Sequence, residues 1–154
     1  MKKVLLLAYL ITLGFFSADL YGQEFSLGSV ITWQCSFPFT AYPEWESANP
    51  TIISDTQDFT SLIDNVDVEE GTARLIGNNG SSDLLVAPFG TMSGETGLTF
   101  IEISPLNVWN LTVIYPTPSA PVSGRRSFKA VISRHPDIFG PSPSQAYGSC
   151  TQWE

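Results

Sequence analysis

The chain is poor in the groups that do chemistry. It has one histidine, two cysteines and two methionines in 154 residues, and 7 Lys and Arg against 15 Asp and Glu. With His135 as the sole imidazole, a triad or dyad has no second histidine to use. No HExxH, GxSxG, phosphate-loop or EF-hand pattern accompanies it, so His135 reads as a strand-end side chain, hydrogen-bonded or solvated. The shortage of cations disfavours nucleic acids and anionic membranes as partners. Past the N-terminus no apolar run is long enough to span a bilayer or to signal a lipid anchor. A long 3.6-residue periodicity and internal repeats are missing as well, which argues against a helical or repeat architecture.

The two cysteines lack the CxxC spacing and histidine partners of a metal site, and no other metal or cofactor motif stands out. In an oxidising compartment Cys35 and Cys150 are expected to pair as one disulfide, tying the first strand to the C-terminal tail. Such a long loop stabilises by roughly 4 to 5 kcal/mol on the chain-entropy account. Compartment signals agree. Residues 1–22 carry Lys2 and Lys3, an apolar run from Val4 to Phe16 and a polar exit at Ser17, Asp19 and Gly22, the form of a secretory signal peptide cleaved before Gln23. Residues 23–154 then form a single domain. Removing the leader takes two lysines and one aspartate, leaving 5 basic and 14 acidic residues, a net charge of −9. Sequons at Asn79-Gly80-Ser81 and Asn110-Leu111-Thr112 are the expected N-glycosylation sites.

What the chain has in quantity is short alternating segments broken by Pro, Gly and Asn. Ile31, Trp33 and Cys35 alternate with Thr32 and Gln34. The Gly77-Asn78-Asn79-Gly80 stretch between Thr72–Ile76 and Asp83–Ala87 is the sharpest hairpin signal. Leu98–Ile103 and Trp109–Tyr115 form a second hairpin. Period two in its second strand sets Trp109, Leu111, Val113 and Tyr115 on one face, expected inward, with Asn110 and Thr112 outward and the Asn110 glycan in solvent. Ser127–Ser133 reads as the last strand, with Phe128, Ala130 and Ile132 inward. Asp58–Ile63 reads as one helical turn, and Ser36–Pro50 as an irregular loop rich in proline and aromatics. Seven or eight short strands with proline-rich loops predict an all-β fold, an antiparallel β-sandwich of Ig-like or jelly-roll outline.

Four clusters carry functional readings. Glu44 and Glu46 flank Trp45 among Phe39 and Tyr42, so these aromatics are candidates for stacking on a sugar or peptide. The two carboxylates with His135 make a small glycan-acting hydrolase the alternative, although adjacent positions do not set the separation that paired glycosidase acids need, about 5 to 10 Å. Asp64, Asp67, Glu69 and Glu70 fit no calcium loop and read as a solvated face. Arg125, Arg126, Lys129 and Arg134 follow one another without an acid between them and are expected to lie beside the acidic half. Gly124-Arg125-Arg126 has the form of a dibasic processing site, but cleavage there would cut a core strand from its sheet. The reading that results is a secreted, non-enzymatic glycoprotein without cofactor, binding an extracellular protein or glycan at a cell surface, in matrix or in fluid.

Overall fold

The computed structural model describes residues 26–45, 49–56, 58–77, 80–103, 109–136 and 143–153, with Trp109 described by its backbone alone. Its strands are β1 (Trp33–Glu44), β2 (Thr51–Asp55), β3 (Phe59–Asp67), β4 (Thr72–Gly77), β5 (Gly80–Gly90), β6 (Thr96–Ile103), β7 (Trp109–Pro118), β8 (Ser127–His135) and β9 (Ser144–Gln152). They hydrogen-bond in the order β2-β1-β3-β4-β5-β6-β7-β8-β9, and β9 pairs in turn with β1. All the ladders are antiparallel. The sheet therefore closes on itself as an up-and-down barrel of eight strands, β1 and β3 to β9, instead of the expected sandwich. The reason is the pairing of first strand with last, which leaves no break at which two separate sheets could begin.

Closure is covalent as well as hydrogen-bonded. Cys35 and Cys150 are direct cross-strand partners of β1 and β9, their Cα atoms 4.0 Å apart, and they form the expected disulfide. One step along β9, Gly148 meets β1 at a register shift between Ser36 and Phe39; a Cβ there would stand 2.8 Å from the Phe37 Cα, so the strands close only because this residue has none. Trp33, Cys35, Phe37, Ile63, Leu98, Phe100 and Ile114 fill the interior and are buried. A 3-10 turn, Leu27–Ser29, packs on β6 and closes one end with Leu27 and Val30.

Three local expectations change. Phe59 to Ile63 opens β3 instead of turning as a helix, since Phe59, Ser61 and Ile63 pair in register with Phe37, Cys35 and Trp33. A five-residue ladder with Trp33–Phe37 of β1 outweighs the weak pull of a six-residue helix. Ser36–Glu44 is strand too, because Pro38 falls at the register shift, where the ladder is already broken. The faces of β7 are reversed: Thr112 and Ile114 point inward and are buried, Leu111 and Val113 are half-buried on the outer wall, and Tyr115 is exposed. The ladder with β6 sets this register, since Thr112 and Ile114 pair with Phe100 and Leu98, which already face the bore. The Trp109 side chain lies outside the described residues.

The basic strand also sits elsewhere than expected. β8 lies between β7 and β9, neither of which carries an Asp or Glu. The described ion pair is instead Arg74 on β4 with Asp64 on β3, two parallel contacts of 2.9 and 2.6 Å. The hydrogen bond from Arg74 lowers the Asp64 carboxyl below the ordinary aspartate range, against the opposing pull of desolvation.

Candidate functional site

The barrel separates the candidate residues into three places. β1 outruns its barrel neighbours: Trp33–Phe37 pairs with β3, Phe39–Ala41 with β9 and Thr40–Glu44 with β2, so that from Tyr42 on β2 alone is paired with it. The result is a two-stranded overhang at the end of the barrel opposite the 3-10 turn. The register shift at Phe37–Phe39 changes which face each side chain takes. Phe37 is buried in the bore, while Phe39 lies outside against Tyr147 of β9, ring centroids 6.1 Å apart. Tyr42 then faces the other way from Phe39, paired with Ile53, and Trp45 stands at the hairpin tip. The overhang keeps large apolar groups in water: Trp45 is 52 % exposed, Ile52 68 % and Tyr42 36 %. The ribbon thus divides them: Tyr42 lies on one face with Ile53, Ile52 lies on the other face with Pro43, which is the face Phe39 also takes, and Trp45 stands at the tip.

The candidate hydrolytic groups are not brought together. Glu44 ends β1 on the face of Tyr42, exposed. His135 ends β8, two strands away across β9, on the outer face with Ser133 and Val131, also exposed. Glu46 lies outside the described residues, as does Asn79, whose hairpin is nonetheless in place through the Gly77–Gly80 pair.

A polar cluster that sequence reasoning passed over sits in the bore near the overhang. Glu102 of β6 pairs in register with Asn110 of β7, and Asn110 with Arg134 of β8. The Glu102 carboxylate accepts a hydrogen bond from Ser82 Oγ at 2.6 Å and another from Asn110 Nδ2. Asn110 Oδ1 is buried and accepts no hydrogen bond from the described residues. The nitrogen to which a glycan would attach is therefore engaged inside the barrel mouth. A single acid in an otherwise apolar strand, Thr99-Phe100-Ile101-Glu102-Ile103, was the available signal. Asp67 likewise serves the fold, because its Oδ1 accepts from the Glu69 and Glu70 amides and holds the β3–β4 turn.

At the other end, a groove of about 710 Å³ runs between the 3-10 turn and the β7–β8 connection. Leu27, Phe128, Pro116 and Pro118 line it, with Glu95 and Arg126. Arg125, next in the connection, lies over the Trp153 ring at 4.3 Å. The Arg126 carbonyl accepts from the Gln152 amide and Ser127 is buried, so the bond after the dibasic pair is held within the sheet. Among the described residues no group of three or more His, Cys, Asp and Glu could hold a metal ion, and no helix is long and apolar enough to cross a membrane. Compared with family models, curated proteins and solved structures, the chain matches none.

Proposed function

We propose that this protein is a secreted, non-enzymatic binding module for an extracellular protein or glycan, and that the β1–β2 overhang is its contact surface. The observation that supports the reading is the exposure of Trp45, Ile52 and Tyr42 around a ribbon that runs past the last rung of the barrel at Ala41, with Trp45 at its tip and Ile52 and Tyr42 on its two faces. Burying a side chain of that size stabilises a protein by about 1.5 to 3 kcal/mol, and these three forgo that gain within their own fold. Trp and Tyr are also the side chains most enriched at binding hot spots and most suited to stacking on a sugar face. The disulfide fits an oxidising compartment, and with the basic and apolar N-terminal stretch it supports secretion.

The test is capture on a glycan array and from the extracellular fluid of the producing organism, run with wild type and with Trp45→Ala. Ligand retained by wild type should weaken at least about tenfold in the variant, the loss of one anchor, with circular dichroism and the disulfide unchanged. Binding that is indifferent to Trp45 would refute the overhang. Glycan cleavage lost in both Glu44→Gln and His135→Ala would instead establish a hydrolase.

A further inference from the structure

We propose that the free edge of β2 takes up an extended segment of a partner protein, with basic residues two places to either side of an apolar one. The proposal rests on the reading of the overhang as a contact surface and names the chemistry of its partner. Among the described strands β2 pairs with β1 alone and ends the hydrogen-bonded order. A strand so placed presents a row of backbone N–H and carbonyl groups to whatever lies alongside, and a further strand satisfies them. Nothing inside β2 blunts that edge. Thr51–Asp55 holds no Pro or Lys, and its ladder with β1 has no register shift.

Charge selects the occupant. From Gln23 to Ala73 the sequence has no Lys, Arg or His. The register puts Thr40, Tyr42 and Glu44 of β1 on one face of the ribbon with Asp55, Ile53 and Thr51 of β2. That face therefore carries a carboxylate near each end and an apolar pair, Tyr42 and Ile53, between them. A strand added to β2 stands about 4.8 Å from it, with every second side chain on this same face. Its residue opposite Ile53 meets the apolar pair. Basic residues two places before and after lie opposite Asp55 and opposite Thr51, and the second of these reaches Glu44 across the Thr51 side chain. Asp55 Oδ1 accepts from the Thr56 amide, a neutral donor that leaves the carboxylate charge in place. On the other face Ile52, which is exposed, meets an apolar residue of the same segment. A second copy of β2 fits worse: paired antiparallel about Ile53, it brings its own Asp55 opposite Thr51, an acid beside Glu44.

The experiment is fluorescence anisotropy of a labelled, end-blocked peptide Ser-Arg-Val-Ile-Val-Arg-Ser titrated with the full oxidised chain. Wild type should bind it, and Glu44→Lys should weaken binding at least about tenfold. Glu44 is exposed, so the variant should fold, with circular dichroism as the control. Replacing both arginines of the peptide by glutamate should abolish binding. Methylating alternate backbone nitrogens of the peptide gives two forms, because only every second N–H of a strand points to a given neighbour. The form methylated towards β2 should lose binding at least about tenfold, and the other should keep it. A wild type that does not bind the peptide, or binds it equally well with glutamate for arginine, overturns the proposal. So does binding that survives both methylation patterns. Trp45-dependent capture of a glycan, with no uptake of the peptide, would overturn it while leaving the overhang as the contact surface.

Discussion

The outer walls of β3–β4 and β6–β8 belong to one continuous sheet, yet one is charged and the other is oily. On β3 and β4 the outward positions include Asp64 and Arg74, joined by a bidentate ion pair, together with Asp67 and the paired Leu62 and Ile76, and the inward ones include Ile63 and Ala73. β7 is arranged the other way about: Thr112 faces in and Leu111 and Val113 face out, with Asn110 bonded inward to Glu102. Register with the neighbouring strand settles which face turns in, so an apolar face need not be the inner one.

The difference can be broken most sharply on β7 itself. Ile114→Ala empties a fully buried site in the bore and should destabilise by about 2 to 5 kcal/mol, whereas Leu111→Ala, on the outer wall of the single chain, should cost clearly less. Urea denaturation of both variants makes the measurement. An equal or reversed order would restore the inward assignment of Leu111 that alternation alone suggests.

That reversal shows where the sequence was legible. The two hairpins and the inward facing of Trp33 and Cys35 follow from turn chemistry and period two, which are local, although Ile31 of the same alternation lies ahead of β1 and is 66 % exposed; the Cys35–Cys150 pair follows from cysteine number and compartment. Closure into a barrel depends on β1 meeting β9, a pairing that local pattern does not encode, although a disulfide joining the chain's two extremities was a hint of it. The faces of β7 depend on its register with β6, whose Leu98 and Phe100 already face the bore. At the overhang, proline and aromatic content marked the region, but the register shift beside Pro38 decided that Phe39 and Tyr42 part company. Such a shift is set by the partner strands.

The Asn110 cluster gives the next largest effect. Asn110→Ala takes one of two donors from a partly buried carboxylate and should destabilise by about 1 to 3 kcal/mol. Intact mass of the protein expressed through a eukaryotic secretory pathway supplies the second reading: we expect residue 110 to carry no glycan, since its Nδ2 is engaged with Glu102. A glycan found there would mean that the amide turns outward and that β7 does not hold the register described.

The charged wall should respond least, and to pH. Asp64 has a folded-state pKa below its ordinary value because Arg74 donates to its ionised form, so it binds fewer protons folded than unfolded. Its contribution is therefore complete above the ordinary aspartate range near pH 4 and is lost as pH falls through the lower folded value. Asp64→Asn should be slightly less stable than wild type at neutral pH, and the gap should close under acid. Because the pair lies on the outer wall, with the Arg74 side chain 45 % exposed and Asp64 18 %, the gap should be small and should shrink in high salt. Unfolding curves of the two proteins across the acid range test the sign. A gap that widened as pH fell would show the Asp64 carboxylate to be destabilised in the fold, and the ion pair would no longer account for the polar character of the β3–β4 wall.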